Sequence, residues 1–234
     1  MTKAEKENIL KKATMLFAEK IAVPHRANIE KCADPEEFSI NPFLQGYLAK
    51  LLCGDTTPRS VAMSLIYPRV LGTSITTTFG NQIQYFCSEV LDGYGSRIPG
   101  LDLEFIDSVD KRRRYCQLKA GPNNLNKDDV EPMVAKFRSI INLGRTNRST
   151  PLAFQDLVVA IAYGTEDQLN QNFRVLREKH HLTVLVGYDF WYRLTGDKNF
   201  YRDLTLAFAR AAEELDTEGL IEKTVNALAK RLAK

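Results

Sequence analysis

The sequence has little of what marks membrane, secreted or zinc-stapled proteins. No apolar run approaches the roughly 20 residues of a membrane-spanning helix, and the N-terminus is polar and mixed in charge, unlike a signal peptide. We therefore expect a soluble, cytoplasmic protein. Four cysteines stand far apart, at Cys32, Cys53, Cys87 and Cys116. This spacing fits neither a paired CxxC zinc site nor a dense disulfide framework, so we expect reduced and mostly buried thiols.

Charge of one sign is also not in excess. The chain of 234 residues has 32 Lys and Arg against 29 Asp and Glu, a net charge of +3. A surface coated with cations for nucleic acid is therefore excluded, and only the distribution of charge can indicate such binding. Walker, GxGxxG and GxSxG motifs do not occur. His180 and His181 are adjacent and cannot both face one site, which argues against a zinc or Ser-His-Asp centre.

The pattern of apolar residues indicates an α/β fold. Helical spacing dominates residues 1–80, whereas apolar runs alternate with helical segments in the second half of the chain. The hydroxyl-rich stretch 72–80 is bounded by glycine and suits a turn or the start of a helix better than a helix interior. Without a linker or an internal repeat, we expect one domain over residues 1–234. It would comprise a helical N-terminal layer (1–80), a core with a mixed β-sheet flanked by helices (81–187) and C-terminal helices (188–234).

A β-hairpin is predicted in the middle of the chain. Residues 101–106 alternate apolar and acidic side chains, and a second short run follows over 115–119. A two-residue turn at Asp110-Lys111 would pair residues whose numbers sum to 221.

One face of this hairpin gathers polar side chains. In the predicted register, Asp102 lies across from Lys119 and Glu104 lies across from Gln117. Such a face is either a solvated outer surface or a site for a charged ligand, because these groups lose solvation unless they are paired. The loop Gly121–Asn124 lets backbone approach a ligand and leads into a helix N-terminus suited to phosphate.

Asp102 followed by Gln117-Leu118-Lys119 resembles the PD-(D/E)xK nuclease signature. The segment 117–129, with 40–44 and 78–81 upstream, is similar to type II restriction endonucleases that cut GGNCC-like sites, the TdeIII/SinI-like group. The resemblance covers roughly residues 38–130. It implies a restriction-endonuclease-like fold and a homodimer that uses Mg²⁺ to cut both strands of a palindrome of the GG-N-CC kind, leaving 5′-phosphate and 3′-hydroxyl ends.

The resemblance also implies roles for three residues of the motif. Asp102, the backbone carbonyl of Leu118 and water would hold Mg²⁺, and Lys119 would position and polarise the attacking water.

Gln117 departs from the family pattern, because an acid usually stands at this position. It would orient water or complete the metal shell, but an amide offers only a neutral oxygen. We therefore expect a further carboxylate ligand, either Glu89 on the preceding helix or Glu104 on the strand face of Asp102.

Candidate DNA contacts fall in two clusters. Amide side chains at the mouth of the helix after the hairpin would read base edges or hold the backbone, and cations at the hairpin turn would contact phosphate. The first cluster is Asn123, Asn124, Asn126 and Lys127, and the second is Arg112, Arg113 and Arg114. Two alternatives stay open: a PD-(D/E)xK nuclease of repair or recombination that acts on DNA structure, and a DNA-binding protein that has lost hydrolysis, which Gln117 favours.

Overall fold

The computed structural model describes residues 1–91, 94–96, 98–146 and 153–233. Two compact units make up the chain. The first unit contains residues 1–14 and 80–209, and the second contains residues 15–79 and 210–234. The predicted single domain stays a prediction.

Within the described ranges, no helix is long and apolar enough to cross a membrane. All four cysteines are free thiols, and Cys32, Cys87 and Cys116 are buried, as expected.

Ten α-helices and five strands are the main elements of the described parts of the chain, with short π-helical and 3-10 segments between some of them. The helices are α1 (Lys3–Leu16), α2 (Val23–Lys31), α3 (Gln45–Cys53), α4 (Pro58–Pro68), α5 (Ser74–Tyr85), α6 (Lys127–Thr146), α7 (Gln171–Glu178), α8 (Tyr188–Thr195), α9 (Phe200–Glu213) and α10 (Leu220–Leu232). The strands are β1 (Tyr94–Gly95), β2 (Leu103–Ile106), β3 (Arg113–Lys119), β4 (Leu157–Ile161) and β5 (Thr183–Val186).

The second unit is helical. Its α4 packs against α3 and α10, and Ala62, Ile66, Val225 and Leu228 are buried in its core.

The turn or helix start predicted over residues 72–80 is wrong, because this stretch lies inside a continuous helical run. A π-helical segment covers Arg69–Thr73, and α5 begins directly after it. The hydroxyls of Thr76 and Thr78 donate to backbone carbonyls four residues earlier, at 2.9 and 3.0 Å. These bonds satisfy the hydroxyl groups inside the helix, so the propensity of threonine for turns is overridden.

The first unit is built on a five-stranded mixed sheet with strands in sequence order. β1, β2 and β3 are antiparallel, whereas β3, β4 and β5 run parallel. Every residue of β4 is buried, as in a central strand covered on both faces. The predicted α/β class with a mixed sheet flanked by helices is confirmed.

Each face of the sheet carries an apolar core. Phe137 of α6 and Phe173 of α7 are buried in one cluster with Val159 of β4. On the opposite face, Phe105 of β2 contacts Phe190, with ring centroids 6.3 Å apart. The neighbouring Trp191 donates its indole N–H to the carbonyl of Ala162 at 2.7 Å. These two layers fix β3 at the centre of the unit.

The predicted register of the hairpin is wrong by two residues. Glu104 pairs with Tyr115, rather than with Gln117. The cause is the turn, which is a four-residue loop over 108–111 closed by the bond from the Asp107 N–H to the Arg112 carbonyl at 2.8 Å. Because side chains alternate with a period of two, this even shift keeps the polar residues on the predicted face.

A buried carboxylate anchors this turn. Asp107 is fully buried and accepts hydrogen bonds from the Val109 N–H at 2.9 Å, from Arg114 at 3.2 Å and from Arg193 at 2.8 Å. Burial acts to raise the pKa of Asp107, but the Val109 N–H and the two guanidinium groups outweigh it and hold this pKa below its ordinary value.

Asp107→Ala is expected to lower the free energy of unfolding by about 3 kcal/mol, because Arg114 would stay buried without this partner. Urea denaturation at pH 7 measures the loss. Since the pKa is lowered, the stabilisation is present above the ordinary aspartate value of about 4 and is lost as the pH falls below it. Asp110→Ala is the control, because this more exposed partner of Arg114 should contribute about 1 kcal/mol or less. Equal losses in the two variants would contradict a special role for burial.

Candidate active site

Asp102 lies directly before β2, beside the motif residues of β3. Its N–H donates to the Cys116 carbonyl at 2.9 Å, so the strand register places Asp102 next to Gln117. Its carboxylate oxygen Oδ2 accepts the N–H of Leu118 at 2.6 Å. The acid of the predicted motif therefore contacts the backbone of the motif's middle residue, although 16 positions separate them.

The surroundings of Asp102 disfavour its charge. Burial raises the pKa of Asp102 above its ordinary value. The Leu118 N–H, a hydrogen bond from Gln84 and the positive charges of Lys119 and Lys136 oppose this effect only in part. A nearby cation would stabilise the charged form of a carboxylate whose burial is only partly offset by hydrogen bonds and positive charges. Carboxylates of this kind are common at functional sites.

Gln117 adds a second oxygen to this site. Its side-chain oxygen Oε1 is buried and accepts no hydrogen bond from the described part of the chain. A buried oxygen without a donor costs about 1–3 kcal/mol, so it calls for water or a cation.

Leu118 contributes its backbone to the same edge. The N–H and C=O of one strand residue point to the same edge of a sheet. Because the Leu118 N–H meets Asp102, the Leu118 carbonyl lies along the edge of β3 that faces Asp102. The Asp102, Gln117 and Leu118 oxygens together form a donor set of the kind that Mg²⁺ prefers, so the residues fit the implied metal.

Glu104, one of the two expected additional ligands, is engaged elsewhere. It is 8% exposed, and its two oxygens lie 3.1 Å from the Ser96 hydroxyl and 3.2 Å from the Arg113 guanidinium. Arg113 begins β3 and Lys119 ends it. The ion pair therefore holds the Glu104 carboxylate near the start of β3, away from Lys119.

Glu89, the other expected ligand, is exposed on the π-helical segment Phe86–Val90. Gln84, five residues earlier in the same helical run, is the side chain that reaches Asp102. Across the residues that the structure describes, no three His, Cys, Asp or Glu side chains converge as a preformed metal centre. Metal ligation by Glu89 or Glu104 stays a prediction, and a metal here would depend on amide, backbone and water oxygens.

Lys136 and Gln84 are site residues that the sequence analysis missed. Gly100 has a φ of +90°, and a Cβ atom built on it would lie 1.7 Å from the Cε atom of Lys136. The Lys136 side chain thus crosses the backbone two residues before Asp102. Gly100 was the one feature of the sequence that could have indicated this contact, because only a residue without a Cβ atom lets the Lys136 side chain come this close to the backbone.

The three arginines near the hairpin turn each have an acidic partner. The pairs are Arg112 with Asp156 at 2.5 Å, Arg113 with Glu104 at 3.2 Å and Arg114 with Asp107 at 3.2 Å. Arg114 is only 7% exposed, which makes it a structural residue of the turn. DNA contact by these arginines stays a prediction and would require each to exchange a carboxylate for phosphate.

The amide cluster is exposed on the loop that joins β3 to α6. The loop is anchored by the Leu125 carbonyl, which accepts hydrogen bonds from Asn170 at 2.9 Å and from Asn172 at 2.8 Å. A cleft of about 560 Å³ opens beside it, with Asn123 and Tyr163 in its lining. The exposed members are Asn123, Asn124, Asn126 and Lys127, the last of which begins α6.

A family model described as type II restriction endonuclease EcoO109I matches residues 57–216, about two thirds of the chain. No curated protein matches the chain. The matched region contains the entire sheet together with Asp102, Gln117 and Lys119. The chain therefore belongs to the EcoO109I family of type II restriction endonucleases.

Proposed function

We propose that this restriction endonuclease hydrolyses one phosphodiester bond in each strand of a specific double-stranded DNA site, with Mg²⁺ as its cofactor. Family membership supports a nuclease that acts on DNA. The observation that carries the finer proposal is the desolvated Asp102 carboxylate beside the β3 segment Cys116–Lys119, in which the buried Gln117 side-chain oxygen has no hydrogen-bond partner among the described residues. The products would have 5′-phosphate and 3′-hydroxyl ends, and the site would be a palindrome of the GG-N-CC kind.

The chain's own groups divide the work of hydrolysis. Asp102, the Gln117 amide oxygen and the Leu118 carbonyl would hold Mg²⁺, which supplies positive charge at the scissile phosphate when bound. Lys119 would donate a hydrogen bond that positions and polarises the attacking water. Lys136 approaches Asp102 from α6, and we assign it to the phosphate as a second cation.

The loop between β3 and α6 supports the proposed contact with DNA. Its amide side chains are exposed directly after the strand that ends in Lys119, whereas Asp128 and Asp129 occupy the first turn of α6, so the amides and Lys127 would make the contacts. Exposed amides at this position would contact base edges or the sugar-phosphate backbone of the strand that is cut.

Digestion of phage-sized duplex DNA tests the proposal. Discrete fragments that require Mg²⁺, disappear with EDTA and have 5′-phosphate ends are expected, and the mapped ends reveal the recognition sequence. Tight binding without cleavage across several divalent metals and pH values would instead establish the DNA-binding alternative. Cleavage confined to branched or flapped DNA would establish the repair or recombination alternative.

Gln117→Glu is expected to lower the Mg²⁺ concentration for half-maximal cleavage by about tenfold, because a carboxylate adds negative charge to the donor set without changing its shape. Titration of Mg²⁺ in a single-turnover cleavage assay measures the shift. Gln117→Leu is the matched variant without the oxygen, and it should need more Mg²⁺ than wild type. An unchanged Mg²⁺ requirement in both variants would remove Gln117 from the metal site.

A further inference from the structure

The cleft beside the amide loop lies where the strands β3 and β4 end. Its lining comes from the loop after β3, from the segment after β4 and from α9. All of these residues belong to the first unit, which also contains the candidate active site. The lining side chains that can form hydrogen bonds are Asn123, Tyr163, Thr165, Gln168 and Tyr201.

The cleft opens close to Lys119. Lys119 and Ile161 are partners in the parallel pairing of β3 and β4, and Tyr163 follows Ile161 by two residues. At about 4.8 Å between strands and about 3.3 Å per residue, the Cα atoms of Lys119 and Tyr163 lie about 8 Å apart. Each nucleotide advances a DNA strand by about 3.4 Å along the helix axis. A strand whose scissile phosphate lies at Lys119 would therefore pass the cleft within about two nucleotides of the cut.

Backbone hydrogen bonds hold the two walls of the cleft together. The N–H of Tyr163 donates to the Ala120 carbonyl at 3.2 Å, and the N–H of Asn170 donates to the Pro122 carbonyl at 3.1 Å. These bonds tie the segment after β4 to the loop after β3 without any ligand. A preformed site loses little conformational entropy on binding, so a few hydrogen bonds in it can contribute measurably to affinity.

The side chain of Tyr163 lies over the backbone of Gly121. A Cβ atom built on Gly121 would be 2.5 Å from the Cζ atom of Tyr163, so this contact requires glycine. Gly121 is buried, whereas Tyr163 is 43% exposed. The hydroxyl end of the ring therefore lies two residues after Lys119 along the chain and borders the cleft.

The chemistry of the cleft fits the sugar-phosphate backbone of DNA. Its polar groups are amides and hydroxyls, which are common donors to phosphate oxygens, and its tyrosine rings offer apolar surface to a deoxyribose. A base of an intact duplex could enter only after leaving the base stack, which costs the energy of unpairing and unstacking. The backbone already projects from the duplex, so it is the part of DNA that an open cleft can receive.

We propose that this cleft holds the cut strand at a phosphate within two nucleotides of the scissile one, and that the Tyr163 hydroxyl donates a hydrogen bond to that phosphate. The inference rests on the proposed function, because it takes duplex DNA as the ligand and Lys119 as the reacting centre. Tyr163 is then a phosphate-binding residue that keeps the scissile phosphate beside Asp102 and Lys119. Such a contact fixes the position of the strand without reading its sequence.

Equilibrium binding of intact duplex, with Ca²⁺ in place of Mg²⁺, tests the contact apart from cleavage. The duplex contains the recognition sequence, mapped by cleavage or, if no cleavage occurs, selected by binding. Tyr163→Phe keeps the ring on Gly121 and removes only the hydroxyl, so the dissociation constant should rise about fivefold. Tyr47→Phe is the matched control, because this tyrosine of the second unit is 64% exposed and its hydroxyl should contribute nothing to DNA binding.

Duplexes with methylphosphonate linkages identify the contacted phosphate. Each duplex has a methyl group in place of one charged phosphate oxygen, at the same position of both strands, and the series covers the recognition site. At the contacted phosphate, this change should raise the wild-type dissociation constant about fivefold. It should raise that of Tyr163→Phe by no more than about twofold, because both changes act on the same hydrogen bond. At the other phosphates, the two proteins should respond equally.

Wild-type affinity in Tyr163→Phe would overturn the proposal, and weak binding by Tyr163→Ala alone would limit Tyr163 to packing on Gly121. Equal responses of wild type and Tyr163→Phe at every phosphate would also overturn it, and so would a coupled phosphate more than two nucleotides from the mapped cut. A duplex that is bound with the expected coupling but never cut would establish the cleft contact while the proposed hydrolysis fails. Failure to bind any duplex would overturn both.

Discussion

Lys119→Ala is expected to lower the single-turnover rate of DNA cleavage by at least about 10³-fold, with little change in DNA affinity. Lys119 ends β3 and its charge acts on the Asp102 carboxylate, so the ammonium lies at the proposed reacting centre. Alanine removes the donor that positions the attacking water, while the strand keeps its backbone bond from the Ala162 N–H to the Lys119 carbonyl at 2.9 Å. Supercoiled plasmid at saturating enzyme and Mg²⁺ measures the rate of chemistry apart from binding.

Lys179→Ala is the matched control. Its side chain is 67% exposed and forms a surface ion pair with Glu131 at 3.3 Å, away from the motif. Cleavage by this variant should equal that of wild type. Cleavage by Lys119→Ala at the wild-type rate would place the reacting centre elsewhere, whereas loss of DNA binding by Lys119→Ala would make Lys119 a binding residue.

Asp102→Asn is expected to abolish cleavage to a similar extent and to make the protein more stable at neutral pH. Asparagine keeps the shape and an oxygen acceptor for the Leu118 N–H, which the carboxylate accepts at 2.6 Å. It removes the charge that would hold Mg²⁺. It also removes the penalty of a partly buried carboxylate, so the midpoint of thermal unfolding should rise by about 2 °C or more.

The pH dependence of this stabilisation follows from the raised pKa of Asp102, whose first cause is burial. A raised pKa means that the folded state binds the proton more tightly than the unfolded state does. The carboxylate is therefore unfavourable to folding above its folded pKa, and the penalty disappears as the pH falls below the ordinary aspartate value of about 4. The Asp102→Asn advantage should be present at pH 7 and absent near pH 3. An advantage that is constant with pH would arise from packing instead, and unchanged cleavage would remove Asp102 from the active site.

The sequence alone predicted a strand from the period of two over residues 101–106. It also predicted that Asp102 and Lys119 belong to one motif. Side chains alternate between the two faces of a strand whatever its partner is. The prediction that Asp102, Gln117 and Lys119 share one face therefore holds, although the predicted register was wrong by two residues. The buried strand β4 was also predictable, because an uninterrupted apolar run in the second half of the chain indicates a strand buried on both faces.

The α/β class and the shared strand face of the motif residues follow from local patterns in the sequence. The side chains that complete the site follow from packing, which brings Gln84 from α5 and Lys136 from α6 to Asp102. It also decided that Arg114 is buried with Asp107 and that Glu104 is paired with Arg113. The physical reason is that periodicity fixes the direction of a side chain relative to its own element, whereas its partners depend on how distant elements pack.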